Sequence, residues 1–239
     1  MMIRVENLSK RYGSVQAVDG LTLHVPRGEL FCFLGPNGAG KTTTIKMLTG
    51  LVRPDRGTVR IGGIDIQADP RAAKRLMGYI PDMPYLYDRL TPLEFVRFIG
   101  DLYRVPRERV ERAVDGDLAR FGLNDYRESL IGDLSHGFRQ RLIYVATFLH
   151  DPEVMFIDEP LVGLDPYTIR MIKDLLRERV RNGTAVFLTT HILAVAEEIA
   201  DRIGIIADGR LIALGTRDEL VGHDGATLED VFLRLTRGT

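Results

Sequence analysis

Residues 35 to 42 read Gly-Pro-Asn-Gly-Ala-Gly-Lys-Thr, between the apolar run Glu29 to Leu34 and a helical pattern that starts at Lys41. The spacing is G-x-x-x-x-G-K-T, and its place between a strand and a helix gives the pattern a mechanism. Glycines let the backbone turn tightly around an anion, so that successive N–H groups point inward and the helix start adds its partial positive charge. Gly35, Pro36, Asn37, Gly38, Ala39, Gly40, Lys41, Thr42 and the adjoining Thr43 are therefore expected to hold the phosphates of ATP. Lys41 is expected to reach the β and γ phosphates, and the Thr42 hydroxyl to ligate Mg²⁺.

A second strand end carries acid groups. Val154-Met-Phe-Ile-Asp-Glu159 is an apolar run closed by two carboxylates, as needed when a buried sheet delivers acids to its C-terminal edge. By itself this run reads as a solvated strand end. Paired with the phosphate loop, it makes Asp158 a holder of Mg²⁺ through water, and Glu159 the group that polarises the attacking water and accepts its proton.

Around these motifs, apolar runs of strand length alternate with helical stretches, which predicts an α/β fold with a mainly parallel sheet. The first strands look antiparallel: Ile3 to Leu8, Val15 to Val25 interrupted by an Asp19-Gly20 turn signal, then Glu29 to Leu34. Lys41 to Leu51 is expected to be a helix, Thr58 to Ile64 a strand or a hairpin around Gly62-Gly63, and Met77 to Ile80 a strand stopped by Pro81. From Tyr85 to His150 the patterns are helical, at Pro92 to Tyr103, Pro106 to Phe121 and His136 to Leu149. Residues 1–84 and 151–239 are thus expected to form a core with an antiparallel β subdomain, and 85–150 a helical insertion. In the later part, Val154 to Ile157 and Ala185 to Thr189 read as strands, Tyr167 to Arg181 and Ile192 to Ala200 as helices, and Asp208-Gly209 as a hairpin turn.

Composition excludes some classes. A formal net charge of -1 and a pI near 6.5 leave no basic excess for non-specific nucleic-acid binding. Cys32 is the single cysteine, which rules out a disulfide framework and suits a reducing compartment. No apolar run reaches the roughly 18 to 20 residues of a membrane span, and the first residues lack the apolar stretch of a signal peptide. A cytoplasmic chain is expected, with any membrane part supplied by another chain.

Between the two acid-and-phosphate motifs lies Leu134-Ser-His-Gly-Phe-Arg-Gln-Arg141, and here the chain resembles the ATP-binding subunits of ABC transporters over nearly its full length. The family signature usually reads Leu-Ser-Gly-Gly-Gln, so Ser135 and Gly137 fit while His136 and Phe138 depart from it. Alone, Ser135 is a helix N-cap; with the N–H groups after it, it also makes an anion site. The resemblance implies a P-loop NTPase core and a head-to-tail dimer in which Ser135 and Gly137 bind the γ-phosphate of ATP held by the opposite subunit. It implies stacking of adenine on Tyr12, a place for Asp165 of Gly-Leu-Asp-Pro on the dimer interface, and a γ-phosphate sensor in His191. The largest departure is Asp82, where the family usually has Gln after Gly-Tyr-Ile-Pro; a carboxylate there still suits Mg²⁺ or its water.

The resemblance implies the energising subunit of a transporter, peripheral on the inner face of the cell membrane through a separate membrane permease subunit. The permease would dock near Asp82 to Tyr103, where Met83, Tyr85, Leu86 and Tyr87 are either contacts or packing of the insertion onto the core. The stretch Pro-Tyr-Leu-Tyr-Asp-Arg-Leu-Thr and the ending Thr-Leu-Glu-Asp-Val-Phe-Leu look like the exporter branch. The other reading is a soluble ATPase of the same family regulating ribosomes or DNA; such relatives usually carry two cassettes or a long coiled-coil insertion. One chain with a full motif set favours a homodimer, with a heterologous ATPase partner as the alternative.

Overall fold

The computed structural model describes residues 1–83, 85–159, 161, 164–222 and 226–236. Strands β1 (Ile3–Tyr12), β2 (Val15–Val25) and β3 (Leu30–Leu34) precede helix α1 (Lys41–Leu48), and β4 (Arg56–Ile61), β5 (Ile64–Asp65), α2 (Pro70–Arg75) and β6 (Met77–Ile80) follow. Helices α3 (Pro92–Tyr103), α4 (Arg107–Arg112), α5 (Leu118–Arg120) and α6 (His136–Phe148) come next. The order is completed by β7 (Val154–Asp158), α7 (Pro166–Arg181), β8 (Ala185–Thr190), α8 (Leu193–Ile199), β9 (Arg202–Ala207), β10 (Arg210–Gly215), α9 (Arg217–Val221) and α10 (Leu228–Thr236). Among the described residues no helix is long and apolar enough to cross a membrane.

The residues group into two compact units, Met1–Tyr79 with Glu153–Pro160 and Ile172–Thr239, and Ile80–Pro152 with Leu161–Met171. In the first, one sheet has the order β2-β1-β4-β5 and is antiparallel throughout. The other has the order β10-β9-β3-β8-β7-β6, with β3 parallel to both β8 and β9, and β7 parallel to β8. A strand covered on both faces carries no polar alternation. Accordingly every residue of β3, β7 and β8 is buried, and Phe187 gathers Phe31, Phe33 and Phe156 at centroid distances of 5.3, 5.4 and 6.0 Å. Register then decides what leaves the sheet together. Leu34 lies opposite Thr190, and Asp158 opposite Thr189, so the glycine loop, the two acids and His191 follow neighbouring strand ends.

Three expectations, two about strands and one about a helix, need correction. Glu29 to Leu34 does not continue the antiparallel set; Leu30–Leu34 is an inner strand of the largely parallel sheet. Asp19-Gly20 is not a turn. β2 runs through it, and the pairing slips from Leu8 opposite Leu21 to Lys10 opposite Val18. Gly20, at φ +64°, supplies the left-handed residue of a bulge, and its N–H donates to Ser9 Oγ at 2.9 Å. The helix expected over Lys41 to Leu51 stops at Leu48, just before Gly50 at φ +66°. The two expected hairpins are present: Ile61 faces Ile64 across Gly62-Gly63, and Ala207 faces Arg210 across Asp208-Gly209.

The second unit is helical among its described residues. Thr91 opens α3 with a capping box, its hydroxyl accepting from Glu94 N–H at 3.2 Å while Glu94 accepts from Thr91 N–H at 2.9 Å. Gly100 lets α4 approach α3, since a Cβ there would lie 2.5 Å from a methyl of Val110. The helix expected from Pro106 to Phe121 runs without a break from Arg107 to Arg120, with one π-type turn over Ala113–Asp117 inside it. Asp115, Gly116 and Asp117, all poor helix formers, occupy that turn. Ser135 caps α6, accepting from Phe138 N–H at 3.4 Å.

Candidate functional site

The phosphate-type loop leaves β3 at Gly35, whose N–H donates to Thr190 O at 3.3 Å. Two of its glycines are required by their surroundings. A Cβ on Gly35 would lie 2.5 Å from Ile206 O, and one on Gly40, at φ +105°, 2.3 Å from Ala17 O. Gly38 has open space around it but sits at φ +83°. The loop is stitched to distant strands: Gly209 N–H donates to Ala39 O at 3.0 Å, and Asp19 N–H to Gly209 O at 2.8 Å. Pro36, Asn37, Gly38 and Thr42 are exposed and Thr43 is half-buried, whereas Lys41 is 5% exposed. Its Nζ donates to Gly35 O at 2.8 Å and Pro36 O at 3.1 Å, and lies 3.5 Å from Glu159 Oε1.

Glu159 follows β7 with φ +48°, a backbone setting that costs a non-glycine residue roughly 1–2 kcal/mol. Its N–H donates to Thr189 O at 3.2 Å, and the side chain faces two partners, Lys41 and His191, whose Nδ1 is 3.0 Å from Glu159 Oε2. Asp158 is buried, and its Oδ1 accepts from the Thr189 hydroxyl at 2.5 Å. Behind them in β3, burial pushes the Cys32 thiol up, with the Glu159 charge adding to the effect, so the thiol stays protonated. Lys41, Glu159 and His191 thus form one contact chain at the edge of one sheet. Tyr12, 47% exposed, ends β1 with Lys10 Nζ 5.6 Å from its ring centre. Thr189 was missed from sequence; its only signal is that an apolar run ends in two threonines, Thr189 and Thr190, which sequence alone does not tell apart.

In the second unit, Ser135 and His136 are exposed at the start of α6, and a Cβ on Gly137 would meet nothing within 4 Å. Gly163 lies outside the described residues. Asp165 caps α7, accepting from Thr168 N–H at 3.0 Å and from the Thr168 hydroxyl at 2.5 Å. Arg141 Nη2 donates to Asp165 Oδ2 at 3.1 Å and also to the Thr168 hydroxyl. The Thr168 bonds first, and Arg141 after them, hold the Asp165 carboxyl down at about 2. Asp82 is exposed, and its Oδ1 accepts from Met83 N–H at 2.8 Å. Arg141 and Thr168 were not singled out from sequence, because their roles appear only when residues 141 and 165 meet.

The model of the ABC transporter family matches residues 18–162. A daunorubicin resistance ATP-binding protein of Streptomyces coeruleorubidus is 39% identical over 232 residues, covering 97% of this chain and 73% of that one. Among solved structures, an ATP-binding subunit of an ABC transporter is 35% identical with a TM-score of 0.93, covering 98% of this chain and 99% of that one. A dimeric ATP-binding cassette in a post-hydrolysis state, bound to ADP and Pi, is 25% identical with a TM-score of 0.81, over 90% and 98%. The chain therefore belongs to the ABC transporter family, as an ATP-binding and ATP-hydrolysing subunit.

Proposed function

We propose that two copies of this chain close head to tail around two Mg²⁺-ATP and, by hydrolysing them, drive a separate membrane permease. The observation that carries the reading is the contact chain Lys41–Glu159–His191 beside a glycine loop whose cradle a Cβ would fill. ATP fits this loop: its exposed rim presents N–H groups at the start of α1, and Lys41 is a buried cation whose present partners are two carbonyls and a carboxylate. Lys41 would exchange those partners for the β and γ phosphates, and Tyr12 would stack on adenine.

Glu159 would take the proton of the attacking water, and His191 would orient that carboxylate through Nδ1 while lying next to the transferring group. The Thr42 hydroxyl and the Asp158 carboxylate are hard oxygens suited to Mg²⁺, with Asp82 a further candidate. Mg²⁺, when bound, neutralises charge on the β and γ oxygens. Thr189 fixes the Asp158 carboxylate, and burial beneath it keeps bulk water away.

Ser135 and Gly137 would bind the γ-phosphate held by the partner copy, with Asp165 on the same interface. The open space at Gly137 and the exposed Ser135 support this part of the reading. The helical stretch 85–150 is read as the part that meets the permease, and residues 1–84 with 151–239 as the hydrolytic core. Its likeness to a drug-resistance protein favours efflux, and membrane attachment on the cytoplasmic face through the permease. Light scattering after size exclusion on Glu159→Gln, with and without Mg²⁺-ATP, tests the reading. A shift from monomer to dimer together with a turnover loss of roughly 10²- to 10⁴-fold is expected. Normal turnover would remove Glu159 as the base, and an ATP-bound monomer would remove the self-sufficient dimer.

A further inference from the structure

Phe138 stands where the family signature usually has Gln, and the second unit puts its ring to use. The ring centre is 4.5 Å from that of Tyr126, and the guanidinium carbon of Arg141 lies 5.1 Å from it on α6. Arg141 in turn donates to Asp165 and to Thr168 in the cap of α7. A flat cation lying over an aromatic face is attracted to it and loses side-chain freedom. Phe138 N–H also donates the cap bond to Ser135 Oγ, so its ring and the Ser135 hydroxyl are fixed by the same helical turn. A glutamine in this position would offer no aromatic face.

We propose that Phe138 is a positioning residue: with Tyr126 it forms an aromatic brace that aims Arg141 at Asp165, so that the turn at Ser135 and the segment at Asp165 are presented to a partner copy as one rigid surface. The inference rests on the dimer reading and deepens it. Each dimer holds two such braces, so losing them acts twice on closure and not at all on ATP capture by a single copy.

The test uses the full chain carrying Glu159→Gln, with saturating Mg²⁺-ATP, and measures dimer dissociation by sedimentation. ATP affinity of the separated copies is read with a fluorescent ATP analogue. Adding Phe138→Leu, which keeps apolar filling and removes the ring face, is expected to weaken the dimer on the order of ten- to a hundredfold. Phe138→Tyr is expected to restore it, and analogue affinity to change less than about twofold in both. Arg141→Lys keeps the charge but loses the flat face, and is expected to reproduce the loss; combined with Phe138→Leu it should add little. Should Phe138→Leu not fold, Arg141→Lys reads the same contact. Equal dimerisation of Phe138→Leu and its parent overturns the brace and leaves the dimer reading intact. A parent that stays monomeric sinks the dimer reading, and the brace with it.

Discussion

Lys41 is a buried ammonium with three oxygen neighbours, two of them loop carbonyls. A buried cation must be neutralised or bonded; the two carbonyls and Glu159 do this here, and on the proposed reading the phosphates of ATP would take their place. Lys41→Ala removes the point charge and is expected to weaken ATP binding roughly a hundredfold or more, measured by titration calorimetry. Unchanged affinity would place the nucleotide elsewhere. Asp165 gives a prediction about pH. Its folded value of about 2 lies below the ordinary 3.8, so its contribution is present above about pH 4 and is lost as pH falls through about 2. The urea midpoint of Asp165→Asn should therefore lie below that of the parent at pH 7, and the gap should narrow between about pH 4 and 2. A gap that stays constant over that interval would mean that the Thr168 and Arg141 bonds do not favour the ionised form.

At the scale of elements, the loop between β3 and α1 makes a prediction about glycine. Gly40→Ala has to push a methyl into Ala17 O and adopt φ +105°, whereas Gly38→Ala meets only an unfavourable φ. The first is expected to cost about 1–3 kcal/mol and lower the melting temperature by several degrees, the second clearly less. Equal melting of the two variants would show that the loop rearranges freely. The loop was legible in the sequence because its demands are local: an apolar strand, glycines at set intervals, Lys and Thr at a helix start. The acid strand was legible for the same reason, a polar pair ending a buried run. What could not be read was non-local. That Lys41 touches Glu159, that His191 bonds the same carboxylate, and that Thr189 holds Asp158 depend on the order β3-β8-β7 and on its register. Asp19-Gly20 misled because the same dipeptide that closes a hairpin also suits a bulge; only pairing with β1 on either side decides between them. The π-type turn in Pro106 to Phe121 was likewise hidden, since three weak helix formers lower propensity without saying where the chain gives way.

For the whole molecule, the proposed transport role assigns the membrane passage to a second chain; among the described residues no helix is long and apolar enough to cross a bilayer. Purification in detergent from its native membranes is expected to bring down a hydrophobic chain of several spans, and within that assembly Asp82→Gln is expected to shift the ATPase rate or its Mg²⁺ dependence. A rate and a Mg²⁺ dependence both unaltered would take Asp82 out of the site.

The bond from Gly209 to Ala39, and that from Asp19 to Gly209, join the early glycine loop to the last hairpin of the sheet. During synthesis the nucleotide loop leaves the ribosome long before the strands that flank β3, namely β8 and β9, and long before the hairpin that holds it. Contacts spanning so much sequence form late, after a large loop has closed. On the proposed reading, a nascent chain is therefore expected to bind ATP at this loop only after β8, β9 and the hairpin at Asp208-Gly209 have emerged, so that nucleotide capture follows assembly of the sheet.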